Sequence, residues 1–414
     1  MKILQVNQYY YPRGGADKYF LDLCESLIKK GHEVAVFAMN HPNNLQSVWD
    51  KYFVSRISFN NPSLKDKFRT PGRVLYSLEA KKKFTKLLND FKPDIIHIHN
   101  IYHHLSPSIL DAAAKKNIPV IMHLHDYKLI CPNHMLFTKG KYCEECKKHK
   151  YFNCLKNKCV KNSFAGSSLA ALEMYLHHNI LRIYEKKIAT FIAPSDFMKN
   201  IAVSFGQDAK KIEVIYNPHN LSNERKGIET EPLVIEGINY FLYFGRLSEE
   251  KGIINLIEAA SEIEKKVLIA GSGPEEIKLK KLVNDLKAPV EFIGHKSSNE
   301  LANIIQSAQA VIIPSIWAEN MPLSLMEALS LGKAVIASKI GGLPEIIKDA
   351  KNGFLFEAGN SHDLALKINN FNNLTLEEKS QLEIEAKNSV KLFTAENNLN
   401  AVLAIYKKLK KNAT

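Results

Sequence analysis

"MKILQVNQYYYPRGGADKYFLDLCESLIKKGHEVAVFA", residues 1–38, decides how the chain folds. "KILQV" is a short apolar run, Gly14 and Gly15 follow in the loop behind it, an amphipathic pattern runs on to Gly31, and "EVAVF" is apolar again. Strand, glycine loop, helix and strand make a βαβ unit, and such units build parallel sheets covered by helices. The runs "PDIIHIHN" (93–100), "IPVIMHLHD" (118–126) and "ATFIAPS" (189–195) extend the same plan. Residues 1–215 therefore read as one doubly wound α/β domain, with a Cys- and Lys-rich insertion at 131–163. A polar, turn-rich linker is expected at 216–233. A second series follows: "YFLYFGRLSEEKG" (240–252), "KVLIAGSGP" (266–274), "VEFIG" (290–294), "AVIIPS" (310–315), "AVIAS" (334–338) and "GFLF" (353–356). It predicts a second parallel sheet over 234–392. Residues 393–414 read as a helix with a basic end that can dock back on the N-terminal domain. Ligands of open parallel sheets bind beyond the carboxyl ends of the strands, so two such domains are expected to face a deep interdomain cleft.

With 414 residues, 45% hydrophobic and 24% charged, the chain can bury two cores and carries no compositional sign of disorder. Its formal charge of +13 favours an anionic partner. Between Lys65 and Lys92 there are nine Lys and Arg against three Asp and Glu. A helical stripe of Val74, Leu75, Leu78, Phe84, Leu87 and Leu88 would suit the segment to an anionic membrane face, the alternative being a solvated helix. No apolar run approaches the roughly 18 residues of a spanning helix. The N-terminus lacks the apolar core of a signal peptide, so the expected location is cytoplasmic, extending to the inner face of the cell membrane, with the six cysteines reduced.

The chemistry-bearing residues follow strands. In "PSIWAENMPLSLMEALSLG" (314–332) a helix is expected to begin near Asn320, Met321, Pro322 and Leu323, its N-terminus open to an anion. Glu319 precedes that helix. Glu327 lies within it, on a turn that leans back toward the same mouth, and its carboxylate suits a ribose diol. Arg246 and Lys251, between Gly245 and Gly252, can neutralise a diphosphate and stabilise it as it departs. Gly271 and Gly273 in "GSGP", and Gly14 and Gly15 after the first strand, allow a backbone to approach a ligand closely. Six of the fifteen histidines fall between His97 and His125. "HIH" and "HLH" put His97 with His99 and His123 with His125 on single strand faces, as cleft-lining polar residues or, alternatively, metal ligands. His125, beside Asp126, is the one expected to touch a sugar.

Together these residues resemble retaining glycosyltransferases of family 4, which have the GT-B fold of two Rossmann-like domains. The resemblance covers nearly the whole chain and is most specific in the spacing of Glu319 and Glu327, followed by "GGLPEII". It implies transfer of a sugar from a nucleotide-diphosphate donor, with retention of anomeric configuration, to a glycan or lipid-linked acceptor in surface polysaccharide assembly. By the same resemblance Arg246, Lys251, Glu319 and His125 act at the reacting centre. Glu327 holds the ribose, Gly15 the phosphate side, and Gly14, Gly245, Gly271, Gly273 and Asn320 to Leu323 complete the donor site. Catalysis is expected to need no cofactor, and the sequence holds no Asp-x-Asp metal motif. The alternatives are an epimerase of the same fold and a zinc-stabilised nucleic-acid-binding protein. Acids at a binding mouth repel phosphates and speak against a nucleic-acid partner.

Five cysteines lie between Cys131 and Cys159. Cys143 with Cys146 and Cys154 with Cys159 offer four thiolates to a structural zinc, disulfides and unligated thiols being the other two states.

Overall fold

A computed structural model describes residues 1–57, 63–219, 239–263 and 265–413. Of the linker expected at 216–233, everything from residue 220 onward lies outside them. The chain divides into two compact units. One comprises Met1–Leu136, Glu144–Ile215 and Leu399–Thr414, the other Phe137–Cys143 and Tyr216–Asn398.

The first unit is built on β1 (Lys2–Val6), β2 (Glu33–Phe37), β3 (Ile95–Ile98), β4 (Val120–His123), β7 (Thr190–Ala193) and β8 (Ile212–Val214), whereas β5 (Phe137–Thr138) and β6 (Lys141–Tyr142), between β4 and β7 in the chain, pair as a separate hairpin grouped with the second unit. The six sheet strands run in the order β2-β1-β3-β4-β7-β8, and every pair among them is parallel. The helix Gly15–Lys29 buries Tyr19, Phe20, Leu23 and Leu27. This is the i, i+4 spacing that places one apolar stripe on a sheet. The C-terminal helix Ala395–Ala413 packs Leu399, Val402, Leu403 and Tyr406 into the same core as Ile3, Ile95, Ile121 and Ile192. Each such side chain contributes about 1.5–3 kcal/mol by leaving water. Lys410 holds the helix's basic end to Asp94 at 2.9 Å.

The basic segment departs from its expected form. It is two helices, Leu64–Tyr76 and Leu78–Phe91, parted at Ser77, whose hydroxyl caps the second by accepting from the Ala80 amide at 3.1 Å. Val74, Phe84, Leu87 and Leu88 are core residues, whereas Leu78 is 72% exposed. The stripe read as a lipid-facing surface is therefore largely consumed by the domain's own packing. Among the described residues no helix is long and apolar enough to cross a membrane.

The second sheet comprises β9 (Tyr240–Phe244), β10 (Lys266–Ala270), β11 (Val290–Gly294), β12 (Val311–Ile313), β13 (Val335–Ser338) and β14 (Gly353–Phe356), in the order β11-β10-β9-β12-β13-β14, again parallel. Along β9, Phe241 and Tyr243 enter the core on one face, and Tyr240, Leu242 and Phe244 the core on the other. Burial on both faces is what makes parallel strands read as continuous apolar runs.

Candidate functional site

In the second unit the strand order reverses between β9 and β12, so the loops leaving these neighbouring strands diverge around a crevice. Those loops carry Gly245–Gly252 and Pro314–Pro322. Two close approaches fix their shape. Gly252 has φ +65°, and a Cβ there would lie 2.0 Å from the Pro314 carbonyl oxygen. Gly271 has φ +143°, and its Cβ would lie 1.9 Å from the Gly245 oxygen. Neither position accepts a side chain, which accounts for "GRLSEEKG" and "GSGP" ahead of any ligand. The Leu247 amide donates to the Ser272 carbonyl at 3.0 Å, joining the Gly245 loop to the loop that holds Gly273.

Glu319 is 3% exposed and held from two sides. Lys251 Nζ and Ser315 Oγ both donate to its Oε1, at 2.7 and 2.6 Å. The ammonium also sits 5.3 Å from the Trp317 ring centroid. A residue given a diphosphate role and one given a sugar role are thus a single ion pair, a link that sequence reading missed along with Ser315 and Trp317. Arg246 is exposed, and its backbone carbonyl accepts from the Tyr243 hydroxyl at 2.8 Å. The helix runs Leu323–Ser330 with Pro322 as N-cap, one residue later than Pro322 at the first helical position would give. Asn320 and Met321 are buried before it, and the Met321 carbonyl accepts from Asn217 Nδ2 at 3.0 Å. Glu327 lies half-buried on the helix's second turn.

In the first unit the reversal falls between β1 and β3. Gly14 is the N-cap of the first helix, extended at φ −162°, and Gly15 begins it; both are exposed. A Cβ on Gly14 would meet nothing within 4 Å, so the fold itself does not demand glycine there. His125 stands half-buried beyond β4. The other three histidines are not cleft-lining residues, because His97, His99 and His123 are at most 1% exposed. Period 2 put each pair on one face correctly, and that face lies under Tyr19 and Tyr406. Ligand atoms of His97, His99 and His123 lie within 4.8 Å of one another. Their rings are nevertheless stacked, with interplanar angles of 25°, 19° and 14°, and stacked rings do not aim their in-plane lone pairs at one ion.

Burial lowers the pKa of His97 and His125 to about 3 and those of His99 and His123 well below the ordinary value. Below about pH 6.5 the unfolded chain binds protons that the folded chain refuses, so this contribution to stability is intact above that pH and is lost on acidification. Each ring adds up to about 1.4 kcal/mol per pH unit to the slope. Urea unfolding at about pH 7 and about pH 5 should show a loss of several kcal/mol; a pH-independent midpoint would contradict the buried stack.

Among the cysteines, Cys154 is 1% exposed, and its thiol is hydrogen-bonded to Cys159. Its ionisation is disfavoured by Cys159, by burial, and by the nearby Cys146 and Cys131. Cys131, outside the four-residue set read from the spacing, also donates to Asn133 Oδ1 at 2.9 Å. Cys143, half-buried, follows β6.

The chain matches the family described as Glycosyltransferase Family 4 over residues 13–223 and that described as Glycosyl transferases group 1 over 226–389. It is 26% identical over 415 residues to an uncharacterized glycosyltransferase of Methanocaldococcus jannaschii, covering 99% of both chains. It is 25% identical over 375 residues to an uncharacterized 42.6 kDa protein in the cps region of Klebsiella pneumoniae, covering 86% of this chain and 90% of that protein. In structure it resembles Anabaena HepE in complex with UDP-glucose, with a TM-score of 0.67 at 18% identity over 99% of this chain and 100% of that one.

Proposed function

The chain belongs to glycosyltransferase family 4, and on that premise we propose that it moves a sugar, with retention of configuration, from a nucleoside diphosphate sugar to a glycan or lipid-linked acceptor in surface polysaccharide assembly. The carrying observation is the crevice between β9 and β12, where exposed Arg246, the Lys251–Glu319 pair and Glu327 follow neighbouring strands. Arg246 and Lys251 balance the donor's diphosphate. Ser315 and Lys251 both occupy Glu319 Oε1, which leaves Oε2 to accept from a sugar hydroxyl. Glu327 takes the ribose diol. Gly14 and Gly15 serve the phosphate side, and His125 faces the sugar.

In the reaction the bond from the anomeric carbon to the phosphate oxygen breaks, and a bond to the acceptor oxygen forms on the same face. The acceptor's proton passes to the departing phosphate, so no protein nucleophile takes part. Charge growing on the diphosphate is met by Arg246 and by Lys251, which Glu319 holds in place before the charge develops, and a preorganised group of that kind is where a site gains most. The relative encoded in a cps region supports the polysaccharide reading, and the UDP-glucose complex of the structural relative supports the donor class.

A thermal-shift screen of nucleotide sugars, with UDP-glucose among them, tests the donor. A ligand at a hundred times its Kd adds about 2.7 kcal/mol of apparent stability. One sugar nucleotide should raise the melting temperature, and Glu327→Gln should weaken that shift; no shift with any of them would remove the proposal. Donor isomerised without acceptor would mark an epimerase instead. A structural zinc on Cys143, Cys146, Cys154 and Cys159 is carried into this reading from their spacing alone, since among the described residues no three cysteines lie within ligating reach of one another. Metal analysis should return one zinc per chain, lost in Cys154→Ser, and zinc-free protein of full stability would end that assignment.

A further inference from the structure

Gln5 is a polar residue inside the apolar strand "KILQV", and it is fully buried. Nothing in the packing of a parallel strand calls for an amide there. It is the centre of a line of side-chain hydrogen bonds that runs from the C-terminal helix to His125. Gln5 Nε2 donates to Tyr406 Oη at 3.1 Å. Gln5 Oε1 lies 3.0 Å from His99 Nε2, and His99 Nδ1 lies 2.8 Å from His125 Nε2. Gln5, His99 and Tyr406 are all 0% exposed, so water does not compete along the line.

The line has a direction, because an amide has one donating and one accepting end. With its nitrogen given to Tyr406, Gln5 can only accept from His99, whose proton is then on Nε2. His99 Nδ1 is left as an acceptor, and His125 must carry its own proton on Nε2 to bond there. The remaining nitrogen of His125, Nδ1, is left with a lone pair. Tyr406 keeps the same sense, since its hydroxyl accepts from Gln5 and is free to donate to His97 Nδ1, 2.7 Å away. A neutral imidazole in water exchanges between two tautomers, and a fixed partner on one nitrogen selects one of them.

We propose that His99, itself oriented by Gln5 and by Tyr406 of the C-terminal helix, is a positioning residue that holds His125 as the Nε2–H tautomer, so that Nδ1 accepts a hydrogen bond from a hydroxyl of the donor sugar. The inference rests on the reading of His125 as a sugar-side residue, and it adds a role for a helix otherwise accounted for by packing alone. Replacing His99 by Leu removes the acceptor that His125 needs. Replacing it by Asn keeps an acceptor, because Asn Oδ1 falls near the position of His Nδ1.

Ring-nitrogen NMR of protein labelled with 15N-histidine tests this without any substrate, the His125 signals being those missing from His125→Ala. Wild type should show His125 protonated at Nε2. His99→Leu should lose the single tautomer, and His99→Asn should retain it. Protonation at Nδ1 in the wild type, or an unchanged tautomer in His99→Leu, would overturn the proposal. Nucleotide release from the donor that the thermal-shift screen selects then separates the two ideas. Normal turnover in His125→Ala would remove the sugar-side reading while leaving the tautomer result to judge the line of bonds. If both stand, His99→Leu should lower turnover roughly 10- to 100-fold, as loss of an outer orienting partner does elsewhere, with little change in donor KM and recovery in His99→Asn.

Discussion

Arg246→Ala should lower turnover about 100- to 1000-fold while leaving the melting temperature where it was, the scale on which loss of one charge-stabilising group is felt. The separation of the two effects follows from its surroundings. Its side chain is exposed and makes no hydrogen bond or ion pair among the described residues, and the loop's shape comes from its backbone, pinned by Tyr243. Steady-state kinetics with the donor found by thermal shift, alongside a melting curve, checks both parts. Near-normal turnover would take the diphosphate away from this loop. Lys251 differs, because Lys251→Ala also strips the cation from a carboxylate that is 3% exposed. The Lys251 side chain is itself 22% exposed, so the stability loss should be about 1–3 kcal/mol, short of that for a fully buried pair. Glu319→Gln in the Lys251→Ala background should recover much of that stability and none of the turnover.

The second large effect is on folding. Lys128 and Glu173 form an ion pair at 2.6 Å with side chains 1% and 2% exposed, and Lys128 Nζ also donates to the Pro132 carbonyl at 3.0 Å. Lys128→Met leaves the Glu173 charge buried without its partner and should cost about 3–5 kcal/mol in urea unfolding. Lys128→Met with Glu173→Leu removes both charges and should return most of the loss, whereas a single variant of wild-type stability would contradict the buried pair. Burial raises the Glu173 pKa, but Lys128, His103 and His177 more than offset it and leave the carboxyl lowered. That contribution is present above the ordinary carboxylate range and is lost as pH falls through the lowered value. The pair also bears on the site. The Lys128 amide donates to Asp126 Oδ1 at 2.9 Å, so the pair anchors the segment that leaves β4 through His125.

Both sheets were legible in the sequence because a parallel strand buried on two faces is an unbroken apolar word between turns. β8, "IEV", escaped notice: it is three residues long with an acid at its centre. The break at Ser77 escaped because 3.6-residue periodicity continues across it, while the capping that starts a new helix is a matter of one hydroxyl. Glycines and acids of the second unit stood out as residue types that packing does not request. Their pairing did not, since Lys251 and Glu319 are 68 positions apart and meet only because β9 and β12 are neighbours. Alternation showed that His97 and His99 share a face and could not say which one. The answer lay in the C-terminal helix, where Tyr406 closes over His97 from 309 positions away.

The most direct test of the account is a crystal structure with the nucleotide sugar that the thermal-shift screen selects. The diphosphate should lie against Arg246 and Lys251 at the loop after β9, with the ribose hydroxyls on Glu327 and a sugar hydroxyl on Glu319. A donor bound elsewhere, or bound with Arg246 and Glu327 turned away from it, would contradict the account.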